Sequence, residues 1–409
     1  MHDIVIVGGG PAGISTALHL HAHDPALAGR TVVLEKATYP REKYCAGGIG
    51  GRALRDLARI GVTVDVPAVS VATVAMRTPD ATLRIAEPEF AKVVRRVEFD
   101  HALAKVAMER GITVRQGAAV RDVVPTSDGV RVTLADGETL TAKVVVGADG
   151  IGGVTRRALG LPGGTLRAQV IECDTEPVAS DLPRDTLLFD WSDRSLHGYG
   201  WDFPTLVNGQ EKVCRGVYVI RTLGADNVHA RLDAYLSARG LRMKDYTLKP
   251  FGERGFEATD PISRPRALLV GEAAGIDIAT GEGIAQAIQY GALAATTLSR
   301  AFATSRFDFD DWRRTVLASR FGRALFARLV LYRAFYLDRA RGERALATNP
   351  AFLQLFAQDF AGNRLRTRTF VKAALAAHPR DVPWLARLTR DTWEGRPAEL
   401  VGGPPRVSA

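Results

Sequence analysis

The chain has 409 residues, 46% hydrophobic and 24% charged, an ordinary globular composition long enough for two or three domains. No run approaches the roughly 18 to 20 apolar residues of a membrane span, and the chain enters its first strand at once, with no signal peptide expected. The net charge of +9 is scattered over helical segments without a basic tail or a nucleic-acid-binding module, so no nucleic-acid partner is expected.

Ile4-Val5-Ile6-Val7 is a short β-branched run that reads as a buried strand. Glycines at 8, 10 and 13 fit G-x-G-x-x-G, and a helix opens at Ile14. Gly8 permits the tight turn, Gly10 lets a pyrophosphate approach the backbone, and Gly13 lets helix pack on strand. The helix start offers free N–H groups to phosphate. Thr31 to Lys36 is a second strand, and its acid, Glu35, is placed to hold a ribose hydroxyl. Strand, glycine turn, helix and acid together define a dinucleotide site.

Residues 37–51 read as a loop, because Pro40 and the glycines at 47, 48, 50 and 51 exclude a regular element. Such a loop can lie flat against a planar ligand. Cys45 at its lip reads by residue type as a small buried thiol and by position as a functional one. A short helix over 52–61 follows, then a strand-like excursion over 67–92. Residues 97–108 are helical, Ile112–Val114 is a strand, and Asp128-Gly129 and Asp136-Gly137 mark hairpin turns in a meander up to Val146. That last strand ends in Gly147-Ala148-Asp149-Gly150.

Residues 164–254 are mostly strands, expected to form one antiparallel sheet with 67–92. Within them Tyr199, Trp201 and Phe203 alternate, which puts three rings on one face. Taken alone they read as a packing face. Val270-Gly271-Glu272-Ala273-Ala274-Gly275 is another strand end, leading through Gly281-Glu282-Gly283-Ile284 into a helix over 285–300. Residues 301–409 read as helical and arginine-rich, with a disordered tail around Gly402–Pro405. Arg320, Arg323 and Arg328 share an arc opposite Phe321, Leu325 and Leu329. The base-rate reading is a helix packed on the cofactor domain with a solvated basic face; the alternative is peripheral contact with an anionic membrane. Cys45, Cys173 and Cys214 contain no C-x-x-C pair, which indicates a reducing, cytoplasmic compartment and no metal framework. The histidines show no ligand spacing, and His19, His21 and His23 are expected on an exposed helix face.

The three stations, at 8–35, 147–150 and 270–284, resemble the FAD-binding architecture of glutathione-reductase-like, aromatic-hydroxylase-type flavoproteins. Two further segments, Pro40-Arg41-x-Lys43-x-Cys45-x-Gly47-Gly48 and Tyr199-x-Trp201-x-Phe203-Pro204, resemble the geranylgeranyl reductase family, whose members use reduced FAD to saturate isoprenoid double bonds. The resemblance implies an α/β (α+β) fold. A discontinuous FAD-binding Rossmann domain would occupy 1–66, 93–163 and 255–300. An antiparallel-sheet substrate domain would occupy 67–92 and 164–254, and a helical region 301–409.

It also implies roles for residues. Glu35 would hold the adenosine ribose, with Lys36 beside it. Gly8, Gly10, Ala12 and Gly13 would approach the pyrophosphate, and Arg41 and Arg96 would serve the phosphates. Val120 would sit by the adenine. Cys45, Ala46 and Gly48 would line the flavin, with Asp149, Gly271 and Glu272 at the strand ends and Gly283 and Ile284 offering N–H groups. Glu272 stands where the family has aspartate. Tyr199, Trp201 and Phe203 would line a substrate cavity, and Cys45 is a candidate proton donor beside an ordered water.

The implied activity is reduction of carbon–carbon double bonds in an isoprenoid or other apolar natural product. No second G-x-G-x-x-G exists, so NAD(P)H would visit transiently or a ferredoxin would deliver electrons. The alternative is a flavin-dependent monooxygenase or halogenase-like enzyme. The halogenases carry W-x-W-x-I-P where this chain has Tyr199 first, so their first tryptophan is absent.

Overall fold

The computed structural model describes residues 2–224, 226–348, 351–362 and 382–396. The tail around Gly402–Pro405 lies outside them. Two eight-stranded sheets organise the chain. The first runs Ser263–Arg264, Ala267–Leu269, Thr139–Gly147, His2–Val7, Thr31–Leu34, Thr113–Arg115, with the hairpin Val120–Pro125 and Val130–Leu134 attached to Thr139–Gly147. Five of its strands, from Ala267–Leu269 to the edge strand Thr113–Arg115, are parallel, which requires both faces to be covered. Accordingly Ile4, Val5, Ile6, Val32, Val33 and Val144 to Val146 are wholly buried.

Helices Pro11–His23 and Ile284–Thr304 cover one face and touch closely. Ser15 Oγ donates to the carbonyl of Ile288 at 3.3 Å. Gly291 permits the approach: a Cβ there would lie 2.7 Å from the amide nitrogen of Thr16. This packing corrects the expectation for His19. It lies one turn beyond Ser15 on the same flank and is buried, and burial pushes its imidazole down to about 4. His23 stays exposed.

The second sheet runs Lys249–Arg254, Arg167–Thr175, Gln210–Ile220, Gly198–Val207, Thr186–Asp190, Ala68–Arg77, Thr82–Val94, Gly48–Gly50. Two expectations change here. The sheet is mixed, because Thr186–Asp190 pairs parallel with Ala68–Arg77. And Gly48–Gly50, expected as irregular loop, is an edge strand opposite Ala91 to Val93. Gly47, at φ +79, turns the chain so that its carbonyl accepts from Val94 N at 3.0 Å and the following backbone falls into register. A strand edge satisfies backbone polar groups without needing side chains.

The C-terminal helices Trp312–Ala318, Arg320–Leu337 and Ala351–Ala361 close over both sheets. Trp312 is buried and its indole N–H donates to the carbonyl of Leu269 at 3.0 Å. Phe360 stacks on Phe90, ring centroids 4.8 Å apart. Gly50 and Gly51 receive this helix: a Cβ on Gly50 would meet the Phe360 ring, and one on Gly51 the carbonyl of Ala361 at 2.8 Å. Two of the four glycines expected to face a ligand therefore serve helix packing. No described helix is long and apolar enough to cross a membrane.

The arc of Arg320, Arg323 and Arg328 is also corrected. Phe321, Leu325 and Leu329 are buried as expected, but Arg328 is buried too. It pairs with Asp277 at 2.8 Å, with Asp359 at 2.6 Å and with Glu282. A guanidinium committed to three carboxylates cannot serve as a cationic lipid contact.

Candidate active site

At the nucleotide end, Gly8 takes φ +108, and a side chain there would run into Ala148. A Cβ on Gly13 would strike the carbonyl of Gly8, so the turn admits only glycine at both positions. Ala12 is buried in the first turn of helix Pro11–His23. Glu35, 4% exposed, accepts from Gly9 N at 3.0 Å and from Ala37 N at 3.0 Å. Ala118 N donates to the carbonyl of Glu35 at 2.9 Å, which brings half-buried Val120 close to the acid's strand. Lys36 is exposed. Tyr39, missed in the sequence, donates its hydroxyl to the carbonyl of Gly9.

The two arginines divide differently from the expectation. Arg41 bridges Glu35 at 3.3 Å and Asp100 at 3.1 Å, and a Cβ on Gly10 would lie 3.9 Å from its Nη2. It is the guanidinium beside the pyrophosphate turn. Arg96 forks onto Asp100 at 2.7 and 2.8 Å instead. Its charge faces Cys45.

The strand-end acids leave open acceptors. Asp149 Oδ2 accepts from Thr155 N at 2.8 Å and Thr155 Oγ1 at 2.9 Å, capping the short helix Val154–Ala158. Its Oδ1 is buried without a partner, as is Oε1 of Glu272. Burial raises both carboxyls, against the hydrogen bonds of Thr155 at Asp149 and the charges of Lys43 and Arg96 at Glu272. Gly271, at φ +60, sits against Ala12, with a Cβ there falling 2.6 Å from the alanine's own Cβ. Open acceptors beside a turn that no side chain can fill fit FAD, whose hydroxyls would complete them.

Between the loop and the second sheet lies a cavity. Its walls are Cys45 to Gly48 on one side, Thr280 to Ile284 on the other, and Tyr199, Trp201, Phe203 and Tyr218 across. The aromatic strand Gly198–Val207 thus brings its three expected rings to the cavity while burying them to 3%, 3% and 7% exposure. Tyr199 stacks on Tyr218 at 5.0 Å and 15°, and its hydroxyl donates to the carbonyl of Thr280 at 2.6 Å. Trp201 lies over Gly216, where a Cβ would run into the indole. Packing face and cavity wall are here the same surface. Gly48 looks onto Phe203, 3.5 Å from its would-be Cβ.

Cys45 is half-buried at the cavity rim. Burial pushes its thiol up against the lowering effect of Arg96, so the thiol form dominates. Its N–H donates to Glu172 at 3.0 Å, and the Cys214 thiol lies 3.5 Å from the other oxygen of that acid. Glu172 is 1% exposed, and burial raises its carboxyl to about 7. The sequence reading also missed Glu172, Glu253 and the clasp of Arg52, Arg328, Asp277, Glu282 and Asp359. Alternation along Lys249–Arg254, which puts Phe251 and Glu253 on one face, was the available signal for Glu253. Among the described residues no group of histidines, cysteines and acids is arranged to hold a metal.

Residues 1–191 match the FAD binding domain family. The chain is an FAD-dependent oxidoreductase. Within that class it is similar to a menaquinone reductase of Mycolicibacterium smegmatis, 27% identical over 419 residues and 95% of each chain. It is also similar to a digeranylgeranylglycerophospholipid reductase of Methanoculleus marisnigri, 28% identical over 74% of this chain and 77% of the other. In fold it matches a geranylgeranyl bacteriochlorophyll reductase-like protein of Thermoplasma acidophilum, with TM-score 0.75, 21% identity, and coverage of 95% and 99%. The likeness in fold therefore extends into the C-terminal helices, which carry no motif of their own.

Proposed function

We propose that the protein reduces carbon–carbon double bonds of an isoprenoid or other apolar substrate, with NAD(P)H or a reduced ferredoxin as electron donor. The observation that carries this reading is the aromatic cavity facing the glycine loop. When bound, FAD supplies a two-electron reductant at that cavity. The chain's own residues supply the rest. Tyr199, fixed by Thr280, and Trp201, seated on Gly216, form rigid walls that hold a flat alkene without reordering. Burying a prenyl chain there gains roughly 25 cal/mol per Å2 of apolar area. The relatives named as reductases of a prenylated quinone and of a prenylated lipid support this substrate class.

The test is an anaerobic single turnover. The purified protein is reduced with dithionite and mixed with menaquinone, and the product is weighed by mass spectrometry. After the quinone ring is reoxidised in air, a product that keeps two extra hydrogens is expected, because quinol loses its pair on reoxidation and a saturated prenyl unit does not. A product heavier by one oxygen, with no hydrogens retained after ring reoxidation, would replace the reductase reading with a monooxygenase.

A further inference from the structure

Reduction of an alkene needs a proton as well as a hydride, and the cavity narrows the choice of donor. Five ionisable side chains line it: Cys45, Tyr199, Tyr218, Glu253 and Glu282. Glu282 is committed to Arg52 at 3.2 Å and to Arg328. The Tyr199 hydroxyl is committed to the carbonyl of Thr280. Cys45 Sγ already accepts from Gly47 N at 3.4 Å, and a thiol raised by burial is a poor acid. Tyr218 and Glu253 remain. Tyr218 Oη and Glu253 Oε2 are both sealed from solvent, and both lack a hydrogen bond of good geometry. They converge on Gly281, where an added Cβ would lie 3.0 Å from the Tyr218 ring and 3.1 Å from Glu253 Oε2. Only a glycine leaves that space to a ligand.

Resting on the double-bond reductase reading above, we propose that Glu253 is the acid of the reaction, with the Tyr218 hydroxyl orienting its carboxyl. One alkene carbon takes up hydride and the π bond breaks. The other carbon forms its C–H bond with the Glu253 proton, leaving a carboxylate that water reprotonates after product leaves. The surroundings favour a carboxyl that carries its proton at neutral pH. Burial raises Glu253 well above an ordinary glutamate, Glu272 and Asp277 add to the rise, and Lys43 and the Tyr218 hydroxyl oppose it. A carboxyl held neutral in an apolar site is matched to general-acid work near neutral pH.

The experiment pairs infrared spectroscopy of the FAD-loaded protein with the anaerobic menaquinone turnover. The difference spectrum of wild type minus Glu253→Gln at neutral pH should show the carbonyl stretch of one protonated carboxyl, the band of Glu172 being common to both proteins and cancelling. In the same variant the turnover should slow by about a hundredfold or more, as for loss of a general acid, with flavin content unchanged. Tyr218→Phe should shift the band and slow turnover, which keeps the test open if Glu253→Gln does not fold. A difference spectrum without that band, or a Glu253→Gln protein that turns over at the wild-type rate, overturns the assignment and leaves the reductase reading intact. A wild-type protein that leaves every prenyl double bond of menaquinone intact overturns the reductase reading and the assignment with it.

Discussion

Two buried arginine–carboxylate networks flank the cofactor site, built from opposite kinds of sequence. At the nucleotide end, Glu35 and Arg41 are close in sequence, Arg96 and Asp100 are one helical turn apart, and Arg41 joins the two segments through Asp100. At the other end, Arg52 meets Asp359 at 2.9 Å and Glu282 at 3.2 Å, and Arg328 meets Asp277, Glu282 and Asp359. The first network organises a turn whose glycines already state its purpose. The second joins four distant segments, and it grips Asp277 and Glu282 on either side of the cavity-lining Thr280 and Gly281. The first is a binding device built from two short segments beside the glycine turn. The second is a clasp through which the C-terminal helices position the cavity wall.

The comparison breaks most readily at Arg328. Arg328→Met would strand Asp277 and leave Glu282 and Asp359 to Arg52 alone. Removing one partner of a buried network costs about 3–5 kcal/mol. Urea unfolding should show that loss, and flavin should be released early in the transition because Glu282 and Gly283 border the cavity. Arg328→Lys should recover part of it, since a point charge cannot fork between several acids. An Arg328→Met protein as stable as wild type would reduce the clasp to a packing detail.

The difference between the networks also explains what could be read from sequence. Strand, glycine turn and acid at 4–35 carry their geometry in their spacing, and the aromatic alternation at 199, 201 and 203 carries its face. Arg328 carries nothing of the kind. On a helix wheel it belongs with Arg320 and Arg323, and only tertiary contact with acids 31 to 51 residues away makes it a buried ion. Arg96 shows its partner more plainly: the acid one turn along its own helix, Asp100, accepts from its Nε and Nη2. Gly50 and Gly51 looked like ligand-facing residues because nothing in the loop reveals the helix that packs on them.

An acid buried without an arginine sharpens the contrast. Glu172 has a thiol and a backbone N–H for neighbours, and its carboxyl rises from 4.5 to about 7. The folded state therefore binds the proton more readily than the unfolded chain. The stabilisation this gives is complete below 4.5 and is lost as pH rises through about 7. At roughly 1.4 kcal/mol per unit, the loss amounts to about 3 kcal/mol. Glu172→Gln, neutral at every pH, should match wild type in acid and exceed it in stability above neutrality. Parallel pH–stability curves for the two proteins would show that Glu172 is ionised in the fold.

The smallest effect on stability is expected at Glu35, where the network should matter less for folding than for the nucleotide. Glu35→Ala removes a carboxylate that accepts from Gly9 and Ala37, yet Arg41 keeps Asp100 at 3.1 Å and Arg96 keeps its fork on the same acid. Gly9 N and Ala37 N lose their acceptor, at about 1–3 kcal/mol, but Arg41 keeps a carboxylate partner, so the apoprotein should lose less stability than Arg328→Met. What is lost is an acceptor for the adenosine ribose, and a hydrogen bond to a charged partner contributes about 1.5–3 kcal/mol. That corresponds to FAD binding weaker by about ten- to a hundredfold. Flavin mononucleotide has no adenosine, so its affinity should stay at the wild-type level. Titrating both flavins into apoprotein of each variant, alongside urea unfolding, separates the outcomes. Equal weakening for the two flavins, or a fall in stability matching that of Arg328→Met, would show that Glu35 holds the turn rather than the ribose, and the two networks would then differ in position alone.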